Sequence, residues 1–173
     1  MWNRASQHLL RPKGLPSLRF DGYEKALERA RQLLQNEGLK ADLRVQDMLK
    51  PLPYPNAFFD ALLATRVIHH TLMQNIRGII HEINRVLGVG GYVFLQVPEY
   101  GSHARVLSEG LSTHRVLEPG THAPIEGIEK DVPHHCFTKE ELLGLFGNYD
   151  VEEIHAKSDH YGGFCLVARK VRE

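Results

Sequence analysis

The sequence predicts an α/β sandwich: a single domain over residues 1-173 built around a mostly parallel sheet. Three observations carry that expectation. Runs that alternate apolar and polar residues take turns along the chain with runs whose apolar residues recur at helical spacing. One apolar run, Phe58 to Ala64, is continuous enough for a strand covered on both faces. The last two strand-like runs are separated only by Lys157 to His160, too short for a crossover, so they should pair antiparallel at a sheet edge.

The elements follow in order. Ser17 to Asp21 alternates like a short strand. Tyr23 to Asn36 carries Ala26, Leu27, Ala30, Leu33 and Leu34 on one helical stripe, and Gly38 stands where a left-handed residue ends a helix. Ala41 to Gln46 alternates again, and Pro51, Pro53 and Pro55 impose a loop. After the Phe58 run, Thr71 and Gln74 have capping-box spacing before a helix bearing Leu72, Ile76, Ile79, Ile80, Ile83, Val86 and Leu87, closed by Gly88. Tyr92 to Val97 is the clearest strand. Thr138 and Glu141 form a second capping box before a short helix ending near Phe146, and Val151–Ile154 and Tyr161–Arg169 are the closing strands. Residues 99–136 have no strong period and are rich in His, Gly and Pro. A connection that long inside a compact domain is expected to be functional.

Composition narrows the function classes. The 173 residues are 42% hydrophobic and 24% charged, as in an ordinary globular domain rather than a disordered chain. Lys plus Arg equal Asp plus Glu at 21 each, which removes the global electrostatic case for nucleic acid or an anionic membrane. No segment reads as a secretory signal or a membrane span, and Cys136 and Cys165 offer no disulfide framework. The expected setting is the cytoplasm.

In open α/β sheets ligands bind beyond the carboxyl ends of the strands. The residues there are Asp21 and Gly22, Gln46 to Met48, Ala64 to His70, and Pro98 to Tyr100. Asp21 could accept both hydroxyls of a ribose, with Gly22 keeping the backbone clear, or it could cap the following helix. Asp47 could accept from an adenine amino group with Met48 against the ring, or could be a loop aspartate. His69 and His70 could pack at a helix start, or His70 could remove a proton. His134-His135-Cys136 suggests a metal site, but adjacent ligands do not easily share one ion and the usual ligand spacing is absent, so no metal is expected.

The same residues carry a resemblance. Asp21 at a strand end, then Asp47, Leu52, Pro53, Phe59 and Asp60, then His69, His70, Glu82, Arg85, Leu87, Gly90 and Gly91 stand in the order and spacing of the small-molecule class I S-adenosylmethionine-dependent methyltransferases. The resemblance spans residues 18 to 98, and more loosely the stretch from Gly120 to Ile154. It implies a Rossmann-like methyltransferase sandwich whose mostly parallel sheet ends in an antiparallel hairpin. It further implies S-adenosylmethionine as cofactor, held by Asp21, Gly22, Asp47, Met48, Ala64, Thr65 and Arg66. The partner would be a small-molecule acceptor met by Tyr100, His134 and His135, with His70 as base. The family's first strand and glycine-rich loop have no counterpart before Asp21. The expectation is therefore a truncated copy lacking the first strand, with residues 1-20 an atypical remnant and 99-136 covering the substrate. The alternative is a non-catalytic relative that binds a protein partner or forms a homodimer.

Overall fold

The computed structural model describes residues 18–101, 114–157 and 163–172. The expected absence of a first strand concerns residues outside that set. Two compact units divide the chain at Leu52 and Pro53.

The described part of the first unit is one β-α-β turn of chain. Strand β1 (Leu18–Asp21) and strand β2 (Asp42–Val45) pair in parallel, Leu18 opposite Asp42 and Asp21 opposite Val45. Helix α1 (Glu24–Asn36) connects them and buries Leu27 and Ala30 from its apolar stripe. It ends in a Schellman motif: Leu39 N donates to Leu34 O, Gly38 N donates to Gln35 O, and Gly38 has φ +64°.

The second unit is built on a four-stranded sheet in the order β3-β4-β9-β8. Its strands are β3 (Phe59–Thr65), β4 (Leu87–Val97), β8 (Tyr149–Lys157) and β9 (Gly163–Lys170). β3 and β4 run parallel, joined by helix α2 (Met73–Val86), while β9 runs antiparallel to both β4 and β8. The closing hairpin expected at the sheet edge is therefore present. α2 buries Ile76, Ile79, Ile80, Ile83 and Val86 and packs on β4. The central β4 buries Val93, Leu95 and Val97, facing Leu166 and Ala168 of β9 within one core.

The sheets are mixed rather than mostly parallel, for two reasons. The long β8–β9 hairpin supplies the antiparallel half of the main sheet. The aperiodic segment also folds, into a three-stranded antiparallel sheet of β5 (His114–Glu118), β6 (Thr121–Pro124) and β7 (His134–His135). β3 also departs from expectation. Among the described residues it lies at the edge of this sheet, and none of its residues is fully buried, Ala61 and Leu63 being exposed.

One capping box forms and one does not. Thr138 Oγ1 accepts from Glu141 N at 3.1 Å and Glu141 Oε2 accepts from Thr138 N at 2.9 Å, opening helix α3 (Lys139–Leu145). Thr71 instead lies one residue before the N-cap Leu72, and its Oγ1 accepts from Asn75 Nδ2.

Helix α2 passes into β4 without a loop, and two features make that junction possible. Gly90 takes φ +86°, and a Cβ on Gly91 would meet Gly88 O and Leu87 Cδ1 at 2.9 Å and Asp60 O at 3.0 Å. Gly91→Ala is expected to cost about 1–3 kcal/mol through this overpacking against backbone, and an unchanged urea midpoint would count against it. The second feature is Lys170, 1% exposed, whose Nζ donates to Asn84 O at 2.8 Å and Leu87 O at 3.0 Å.

Candidate active site

In the first unit the carboxyl ends of β1 and β2 lie side by side, with Gln46 N donating to Asp21 O. Asp21 Oδ1 accepts from Tyr23 N at 2.9 Å, fixing the carboxylate in the turn before α1. The N-cap of α1 is Tyr23, which has no side-chain cap, so Asp21 orders the turn without capping the helix. Gly22 is exposed, and a Cβ there would meet only Gln46 O, at 3.8 Å. Asp47 is exposed, and its Oδ1 accepts from Leu49 N at 2.9 Å in the same manner, with Met48 half-buried beside it. Each carboxylate is thus held by one oxygen, which leaves the other as an acceptor. That arrangement fits the hydroxyls and amino group of a nucleoside.

In the second unit the end of β3 places Ala64, Thr65 and Arg66. Arg66 has φ +54°, a left-handed conformation that is uncommon for a residue with a side chain and is often kept at functional positions. Its N–H donates to Gln96 O at 2.8 Å, which turns the chain out of the sheet. The turn continues through Ile68 and His69 to His70, whose N–H donates to Val67 O.

The small sheet lies over this turn. His135 N donates to His69 O at 2.8 Å, Phe137 N to Pro98 O at 2.9 Å, and Tyr100 N to Phe137 O at 2.7 Å. Met73 N at the start of α2 donates to Glu118 Oε1 at 2.7 Å. These bonds bring His69, His70 and His134 together, with ring centroids 3.9 Å apart for His69–His70 and 4.9 Å for His70–His134. His122 continues the row 5.8 Å from His134, and His114 lies 5.1 Å from His122.

Of the residues expected at an acceptor site, Tyr100 is partly exposed and His134 joins the imidazole row. His135 points elsewhere: it is 1% exposed, and its Nδ1 pairs with Thr121 Oγ1 at 2.7 Å. His69, read from the sequence as packing at the helix start, joins the row, as do His114 and His122, which no local spacing marks.

Burial dominates the electrostatics. It pushes His69 down to about 2, helped by repulsion from His70, His134, Arg66 and His135. Burial also lowers His70 and His134, opposed at each by the Glu129 carboxylate. At neutral pH all three rings are uncharged and each has a nitrogen lone pair.

A family model described as a methyltransferase domain matches residues 4–95. The chain belongs to that family. Its cofactor is S-adenosylmethionine, and the motif order read from Asp21 to Gly91 lies inside the matched stretch. The fold of this methyltransferase domain is shared with solved structures. A SAM-dependent methyltransferase from Methanosarcina mazei is 21% identical, with a TM-score of 0.76 over 93% of this chain and 84% of that one. The N-methyltransferase NodS from Bradyrhizobium japonicum, solved with S-adenosyl-L-homocysteine, is 14% identical with a TM-score of 0.64, over 91% of this chain and 67% of that one. The [4+2]-cyclase SpnF, 16% identical with a TM-score of 0.65, covers 98% and 71% of the two chains, so the fold alone does not fix the reaction. No curated protein sequence matches. Among the described residues no helix is long and apolar enough to cross a membrane.

Proposed function

We propose that the methyltransferase domain transfers the sulfonium methyl group of S-adenosylmethionine to a small-molecule acceptor. One observation carries this reading: two carboxylates at the ends of neighbouring parallel strands, each anchored by one oxygen with the other left to accept. Asp21 receives the ribose hydroxyls while Gly22 leaves the backbone uncovered, and Asp47 and Met48 meet the adenine. Ala64 and Thr65 end β3, and Arg66 supplies a guanidinium for a carboxylate, of the cofactor or of an acidic acceptor.

When bound, S-adenosylmethionine supplies an electrophilic methyl with a good leaving group, so transfer depends mostly on positioning and exclusion of water. His70 suits the remaining task. It is half-buried and held below its ordinary pKa by desolvation, so at pH 7 it is a neutral imidazole able to accept a proton from an acceptor O–H or N–H. Tyr100 and His134 border the same turn and contact the acceptor. His135, buried against Thr121, supports His134 from behind.

Calorimetric titration of the chain with S-adenosylmethionine, followed by transfer of labelled methyl to pooled small molecules, tests the reading. Saturable binding with labelled product is expected. Absence of heat at millimolar cofactor would remove it.

A further inference from the structure

We propose that His69, His70 and His134 form a binding site for a divalent transition-metal ion of the zinc or cobalt class. The proposal stands on the geometry of the imidazole row and shares His70 and His134 with the proposed acceptor site; with an ion bound, the His70 nitrogen holds the metal instead of accepting a proton. Each of the three histidines offers one ring nitrogen, and the three atoms lie within 4.8 Å of one another. A tetrahedral ion with metal–nitrogen bonds of about 2.0–2.1 Å holds its nitrogens roughly 3.4 Å apart. Side-chain rotation of about an ångström therefore closes the set around an ion.

Adjacent histidines share an ion poorly on a strand, where successive side chains point to opposite faces. His69 and His70 are on a turn, and their rings lie 3.9 Å apart at 44° on one side of the chain. His134 meets His70 edge-on at 84° from the opposing small sheet. A donor set contributed from two sides is how a compact tetrahedral site is enclosed.

A second observation points independently to a ligand. His69 is 4% exposed, yet its Nδ1 has no hydrogen-bond partner. Buried polar atoms in native proteins are nearly always satisfied, and an orphan costs stability. An unsatisfied nitrogen on His69, beside two further imidazoles, is accounted for by an ion held among them.

The chemical class follows from the donors. Imidazole nitrogen suits zinc, cobalt, nickel or copper, whereas magnesium and calcium require oxygen. Glu129 brings a carboxylate to the cluster, its Oε2 3.4 Å from His134 Nε2. Glu129 offsets the nearby Arg66 guanidinium, whose charge opposes a second cation. Three imidazoles leave at least one position open to water, to Glu129 or to an acceptor heteroatom.

The test is titration of the full chain, freed of metal by chelation, with cobalt(II) alone, read by visible d–d absorption. Zinc(II) is then added as a competitor. The expected result is one cobalt per chain with the intense bands of a four-coordinate site, bleached by zinc. His134→Gln and His70→Gln should each abolish the bands and weaken binding by more than about 100-fold, beyond the loss caused by removing an outer-shell partner. His69→Ala should do the same. Because His69 is packed in the core, near-ultraviolet circular dichroism shows whether that variant has folded, and the two glutamine variants decide the matter if it has not. His81→Ala and His155→Ala, both at exposed positions, should bind like the parent. The proposal is overturned if the parent shows no site-bound spectrum, if binding survives His134→Gln, or if the exposed-site variants lose it equally.

Discussion

Replacing Lys170 by methionine is expected to lower the free energy of unfolding by about 2–4 kcal/mol, the largest single effect anticipated in the main sheet. The ammonium is 1% exposed and donates to two carbonyls, Asn84 O in the last turn of α2 and Leu87 O at the start of β4. Asn84 lies in the last turn of the helix, whose carbonyls have no partner further along the helix. A cation there also complements the negative end of the helix dipole. Methionine keeps the length and most of the packing but removes the donor that both carbonyls share. Urea denaturation of Lys170→Met against Lys25→Met, an exposed lysine on α1, separates this effect from loss of charge alone. The Lys25 variant should remain within about 0.5 kcal/mol of the parent. An equal midpoint for Lys170→Met would show that the two bonds do not stabilise the junction.

The second large effect is expected at Asp21. If its carboxylate receives the ribose hydroxyls, Asp21→Ala weakens S-adenosylmethionine binding by about 1–3 kcal/mol, roughly 5- to 150-fold. The same residue orders its own turn by accepting from Tyr23 N, so alanine removes two functions at once. Asp21→Asn separates them, because the amide oxygen still accepts from Tyr23 N while the negative charge is gone. The asparagine variant should keep the parental melting temperature and lose most of the affinity that alanine loses. Parental affinity in both variants would exclude Asp21 from the cofactor site.

How much of this was legible in the sequence depended on how local its cause was. Gly38 ends α1 because its left-handed φ is a property of one residue, and Thr138 with Glu141 caps α3 because both bonds close within four residues. The identical spacing at Thr71 and Gln74 failed. The chain enters α2 one residue later than that pattern requires, and Thr71 engages Asn75 instead. The β5–β7 sheet was invisible because its strands are short and carry His, Pro and Thr rather than an alternating apolar pattern. They are held by pairings such as His122 with His134, which no local window contains. The imidazole cluster was hidden for the same reason, since His69 and His70 meet His134 only once the small sheet folds back over the turn. The strand-end positions of Asp21 and Asp47 were legible because they follow directly from the order of elements.

The backbone bonds from His135, Phe137 and Tyr100 fasten β7 and the chain beyond it to the floor of the second unit. Their amide protons should therefore exchange with solvent late and nearly together, because none can open while its neighbours hold. A molecule approaching the imidazoles does not enter by lifting that seam. The small sheet is thus a fixed wall over the turn that carries His69 and His70.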